Sequence, residues 1–199
     1  YFSSELVQNG NFSELGSDII VNGDFATDSN WAKGTGWVIM NGYAESDGTN
    51  APLDQVSVLT VGKTYKVVIT VTNMTSSALS VRLGTSSSDA VLSITENGTY
   101  TAYGVAGATT VRLRSQGFNG RIQNVSVKQV DPNDRWVTTL LKNISGWSIE
   151  NDIAICDGTQ TTNSGFIQAS VFESGKNYML NFDLTSNGQD IKFWVNGSQ

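Results

Sequence analysis

The stretch KTYKVVITV (63–71) alternates strictly, with Tyr65, Val67, Ile69 and Val71 on one face and Lys66, Val68 and Thr70 on the other. A period of two places successive side chains on opposite faces of an extended chain, so the stretch reads as a half-buried β-strand. LSVRLG (79–84) and TTVRLRS (109–115) follow the same rule, with Val81, Leu83, Val111 and Leu113 inward and Arg82, Arg112 and Arg114 outward. NVSVKQV (124–130) adds a further strand ending near Val130. No window repeats apolar residues at helical spacing for more than a couple of turns, which predicts almost no helix.

The composition agrees with this reading. Of 199 residues, 39% are hydrophobic and 10% aromatic, enough for a packed core, while only 15% are charged and only 2 are proline. Glycine, serine, threonine and asparagine are abundant, as many short strands joined by turns require. An all-β fold is expected, in the form of a β-sandwich.

Charge and chemistry narrow the function. The net charge of −6 sets up a field that repels phosphate backbones, so nucleic acid is an unfavourable partner. No apolar run approaches the ~20 residues that cross a bilayer, so membrane insertion is not expected. The lone Cys156 excludes an internal disulfide and reads as a small buried hydrophobe. With no histidine, the Ser-His-Asp and Cys-His machineries and His-based zinc sites are excluded. Glu45, Asp47, Asp54, Asp89 and Glu96 remain as carboxylates for histidine-free glycoside hydrolysis, but nothing in their setting singles out a pair. No catalytic residue is assigned and no enzyme is expected.

The chain repeats itself around the turn-rich joint DPNDR (131–135). GWVIMNGYAESDGT (36–49) matches GWSIENDIAICDGT (146–159), and LTVGKTYKVVITV (59–71) matches FESGKNYMLNFDL (172–184). The expected organisation is a module at 18–130, a linker at 131–135 and a second copy at 136–199. That copy is incomplete, without counterparts of residues 86–130. Half a sandwich exposes an apolar face and open strand edges, which points to continuation past Gln199 or completion by another subunit. A smaller duplication pairs ELVQNGNFS (5–13) with DIIVNGDFA (18–26), so residues 1–17 read as an arm that docks on a neighbour or the tail of a preceding module.

IIVNGDFATDSNWAKGTGW (19–37), followed by VGKTYKVVITV (61–71) and closed by RIQNVSVKQV (121–130), resembles the jelly-roll carbohydrate-binding modules that open on N-G-D/N-F and close on an I-D-N-V-S-V type strand. The wording of 22–37 is similar to versions repeated in tail, fibre and other virion proteins of bacteriophages. The resemblance covers 18–130 well and 136–199 in part. It implies a two-sheet jelly roll of about eight to ten strands with its first and last strands adjacent. It also implies a structural calcium held by acidic side chains near those strands. Asp24, Asp28 and Asp47 are the candidate ligands, and no other cofactor is implied. Gln123 stands where the family often has Asp, which removes one hard oxygen ligand.

A sugar site needs an exposed, rigidly held ring with amides or carboxylates beside it. Trp31, Tyr43, Tyr103 and Phe118 are the candidate rings, with Asn41, Asp47 and Gln116 as polar partners; packing in the core is the alternative for each ring. Trp37 and Trp147 recur inside the repeated G-W-x-I block, which marks a requirement of the fold. Trp31, without a clear partner in the second copy, is the better ligand candidate. Trp194 and Phe12 are expected at subunit contacts. Arg82, Arg112, Arg114 and Arg121 line an outer face that suits an acidic sugar or a neighbour's carboxylates.

Two functions follow as expectations. One is a non-enzymatic bacteriophage virion structural protein, as capsid decoration, fibre or tail component. It would sit extracellularly on the virion surface as a homo-oligomer such as a trimer, contacting neighbouring copies, other virion proteins and host-surface glycans. The alternative is a glycan-binding module of a secreted or cell-surface protein. A Trp31→Ala change separates a ligand role from a core role.

Overall fold

The computed structural model describes residues 5–136, 146–160, 162, 164–188 and 190–193. Trp194 lies outside the described residues. Nine strands form one antiparallel sheet: β1 (Leu15–Asp18), β2 (Ala32–Lys33), β3 (Trp37–Met40), β4 (Tyr43–Asp47), β5 (Pro52–Gln55), β6 (Thr64–Arg82), β7 (Ala90–Ile94), β8 (Gly98–Val105) and β9 (Val111–Val130). A separate hairpin pairs β10 (Trp147–Glu150) with β11 (Ile153–Cys156). The helical content among the described residues is one 3-10 turn, Ser87–Asp89, capped by Ser86. The protein is all-β, and the large sheet curls on itself into a nearly closed, sandwich-like layer pair.

The two long strands explain the curl. β6 and β9 pair along most of their length, from Tyr65↔Gln129 to Arg82↔Arg112. On one side of this pair β9 takes β1, β4 and β5 in turn; on the other side β6 takes β8 and then β7. The sequence reading divides each long strand into separate pieces, and the structure joins them. Register breaks make the difference. Ala78 faces both Gly117 and Gln116, and the ladder skips Gln123 between Thr70↔Asn124 and Val71↔Ile122. Each extra residue bends the strand and moves the inward set to the other parity. Val111, Leu113 and Ser115 therefore point in, then Phe118 and Ile122, then Val125 and Val127.

The core lies inside this curl, built by the alternation in the sequence: Tyr65, Val67, Ile69 and Val71 are buried, as are Val81, Leu83, Val111 and Leu113. Trp37 and Ile39 are buried too, with Trp37 stacked 6.0 Å from Phe118 and its Nε1 donating to the Ala51 carbonyl at 3.0 Å. The first and last strands of the sheet are adjacent, Leu15 opposite Val130 and Asp18 opposite Lys128.

The matched sequence blocks also match in geometry. Asn41 and Gly42 both take positive φ (52° and 81°) in the two-residue turn of the β3–β4 hairpin, and Asn151 and Asp152 do the same (51° and 61°) between β10 and β11. Such mirror-image turns match the right-handed twist of the strands they join. Asp47 N donates to Gly36 O at 3.1 Å, and Asp157 N to Gly146 O at 2.8 Å. The Tyr65 hydroxyl accepts from Thr60 N, and the Tyr178 hydroxyl from Glu173 N, both at 2.8 Å.

What surrounds the two copies differs. Ser46 is fully buried opposite Gly120 of β9, whereas its counterpart Cys156 is exposed. The expectation of a buried Cys156 is thereby corrected: no strand equivalent to β9 covers it among the described residues. Likewise Tyr178, Leu180, Phe182 and Leu184 are exposed where Tyr65, Val67, Ile69 and Val71 are buried.

Candidate functional site

β5, β9 and β6 lie side by side, so residues in register form rows on the outer face. One row runs Asp54, Arg112, Arg82; the next runs Pro52, Arg114, Ser80. Arginines directly opposite one another repel, so the local arrangement needs a neutralising partner. Asp54 supplies it to Arg112 through a two-pronged pair, Nε to Oδ1 at 2.9 Å and Nη2 to Oδ2 at 2.7 Å. Those bonds raise the Arg112 pKa above its ordinary value, outweighing the opposing effect of partial burial. The Arg112 Nη1 also donates to Thr85 O at 3.2 Å.

Arg82 and Arg114 make no ion pair among the described residues; Arg82 only donates Nε to Ser80 Oγ at 3.1 Å. Three guanidinium groups thus meet one carboxylate around an open concavity of about 470 Å³, lined also by Asn50, Ser115 and Gln116. On a chain of net charge −6 this is a local reversal of sign. Planar donor forks beside two amide side chains suit a carboxylate on a hydroxyl-rich ligand.

The expected aromatic platform does not form around this site. Trp31 is 6% exposed, packed 5.4 Å from Phe25, with Nε1 donating to Asn22 O at 3.0 Å. Phe118 is 0% exposed against Trp37. Neither offers a free ring face, so for both the ligand role gives way to core packing. The local reason for Trp31 is the tight turn at Asn22–Phe25, which folds the following loop back over Phe25.

Tyr43 and Tyr103 are half-buried on β4 and β8, on opposite sides of the β9–β6 pair. Arg121 lies 4.2 Å from the Tyr43 ring and Lys66 5.6 Å from the Tyr103 ring, so each ring already has a cation. Arg121 also pairs with Glu45 at 3.2 Å, which separates it from the other three arginines. Of the expected polar partners, Gln116 lines the concavity; Asn41 sits in the β3–β4 turn and Asp47 in a turn of its own.

The candidate calcium ligands are not brought together. Asp24 accepts from Ala26 N at 3.3 Å, Asp28 pairs with Lys33 at 2.5 Å, and Asp47 accepts from Thr49 N at 2.9 Å. Among the described residues no three His, Cys, Asp or Glu side chains are grouped to hold a metal ion. The Asp47 pKa is lowered by the Thr49 hydroxyl and then the Thr49 amide, and that of Asp157 by the Thr159 amide and then its hydroxyl. Asp89 is used as well, accepting from Ser86 N at 2.9 Å.

Phe12, expected at a subunit contact, is half-buried within its own chain, 5.1 Å from Trp136 and 6.4 Å from Phe166. Asn50 was missed by sequence reading. It falls in a loop with no periodic signal, and only the register of β5 on β9 brings it beside Arg114. Comparison with protein-family models and with curated proteins finds no match to this chain.

Proposed function

We propose that the chain is a non-enzymatic adhesion and assembly protein of a bacteriophage virion, a capsid decoration, fibre or tail component. Its first module binds an anionic carbohydrate at Arg82, Arg112 and Arg114. The observation that carries the binding reading is the concavity in which two of three arginines lack a carboxylate partner among the described residues. The sequence resemblance of 18–130 to jelly-roll carbohydrate-binding modules supports the class of ligand and the surface of a virion as the place. Four of the five carboxylates considered for hydrolysis make structural bonds, Glu45 to Arg121, Asp54 to Arg112, and Asp47 and Asp89 within turns, which leaves Glu96 without a second uncommitted carboxylate among them.

Assembly belongs to the second copy, whose apolar side chains Tyr178, Met179, Leu180, Phe182 and Leu184 are all exposed, and apolar surface of this kind is what neighbouring copies cover. The test has two readouts. Retention on a carboxylated polysaccharide such as polygalacturonate, weakened by salt and absent for a neutral polysaccharide, supports the ligand. A symmetric oligomer by light scattering supports assembly, and a monodisperse monomer overturns it.

The second reading is a glycan-binding module of a secreted or cell-surface protein, acting alone. The same arginine concavity favours it, and monomeric chains that retain polygalacturonate would select it over the virion role.

A further inference from the structure

The opening of the first module has a specific bonding pattern. Asn22 and Phe25 take positive φ (57° and 55°), Phe25 N donates to Asn22 O at 3.2 Å, and Thr27 N donates to Asn22 Oδ1 at 3.2 Å. Trp31 then closes over Phe25, its Nε1 on Asn22 O, with the rings 5.4 Å apart at 35°. Gln55 completes the pattern from β5, accepting from Val21 N and donating to Val21 O, both at 2.9 Å.

Every part of this pattern recurs around residues 5–13. Asn9 and Phe12 take φ of 51° and 55°, Phe12 N donates to Asn9 O at 3.0 Å, and Glu14 N donates to Asn9 Oδ1 at 2.9 Å. The tryptophan that closes over Phe12 is Trp136, its Nε1 on Asn9 O at 2.8 Å, with the rings 5.1 Å apart at the same 35°. The glutamine is Gln168, which accepts from Gln8 N at 2.7 Å and donates to Gln8 O at 2.8 Å. A short turn repeats easily by itself. Here its tryptophan and its glutamine come from 127 and 160 residues away, on the far side of the whole first module.

We propose that residues 5–13 are the opening segment of the second module, so that the first module is inserted into the second rather than preceding it. An inserted unit must begin and end at neighbouring points. β1 and the end of β9 meet this requirement, lying antiparallel with Leu15 opposite Val130. Beyond them Asp131 N donates to Glu14 O at 3.0 Å, Asp131 Oδ1 accepts from Asn9 Nδ2 at 3.0 Å, and Arg135 pairs with Glu14 at 3.7 Å. The first module is thereby held on a two-stranded neck. Along the chain the arginine concavity lies at the first residues of β9, at Arg112 and Arg114, and the neck at its last, Val130.

The test is deletion of residues 1–13 from the otherwise full chain, labelled with 5-fluorotryptophan and read by fluorine NMR and thermal melting. The Trp136 resonance is expected to move to a solvent-exposed position, while those of Trp31 and Trp37 and the melting of the first module stay unchanged. A Phe12→Ala variant keeps the chain intact and should move Trp136 alone among these three; Phe25→Ala should move Trp31 and leave Trp136. An unmoved Trp136 in Phe12→Ala overturns the proposal. So does a deletion that shifts Trp31 or lowers the first module's melting, because residues 5–13 would then belong to the first module.

Discussion

Replacing Trp31 by alanine tests whether this ring is core or ligand platform, and the structure sets the magnitude. The side chain is 6% exposed and packs on Phe25, which is 0% exposed, so its removal opens a cavity that the short loop around it fills poorly. Tryptophan-to-alanine changes at such sites cost about 3–5 kcal/mol. At an m-value of about 1–3 kcal/mol per molar urea, the unfolding midpoint of the first module should fall by roughly 2 M. Trp31→Phe removes the indole N–H and part of the ring while keeping an aromatic side chain against Phe25. Asn22 O keeps its bond from Phe25 N at 3.2 Å, so the lost hydrogen bond costs only about 0.5–1.5 kcal/mol, and with the smaller ring's packing loss added the variant should still fall short of the alanine change. The assay is urea unfolding followed by far-UV circular dichroism, with polygalacturonate retention measured on the folded protein. An unchanged midpoint for Trp31→Ala together with lost carbohydrate retention would refute the placement of Trp31 in the core.

Arg82→Glu combined with Arg114→Glu should abolish polygalacturonate retention and shift the melting temperature by no more than a few degrees, because neither side chain holds an ion pair among the described residues; differential scanning calorimetry checks the second half. Asp47 has a lowered folded pKa, so its contribution is present above its ordinary value of 3.8 and is lost as pH falls through the lower folded value. Asp47→Asn should therefore show a smaller drop in melting temperature between about pH 7 and about pH 3 than the parent chain. Cys156 should react with a thiol reagent within minutes in dilute protein, and more slowly under conditions where light scattering shows assembly, because its counterpart Ser46 is buried wherever a covering strand is present. Equal rates in both states would show that assembly leaves the second hairpin uncovered.

Local alternation was enough to place Tyr65, Val67, Ile69 and Val71 in the core and Arg82, Arg112 and Arg114 outside it. It was not enough to show that these stretches belong to two continuous strands. The bulges at Gln116–Gly117 and at Gln123 shift the inward parity of β9, and a shift of parity looks like the end of a strand when only sequence is read. Three of the four outward arginines form the site, and the bend explains the fourth: past Gly117 the strand leaves β5 for β4, so Arg121 meets Glu45 and Tyr43 instead. Trp31 reads as a ligand residue because its loop is polar and its repeat partner is hidden. That partner is Trp136, recognisable only when its contact with Asn9 is seen across the intervening module. A repeat search compares segments in chain order, and an insertion breaks that order. The opening turn and the tryptophan that closes it are separated in one copy and adjacent in the other. What the sequence conceals here is connectivity, and the hydrogen bonds of two asparagines, Asn9 and Asn22, restore it.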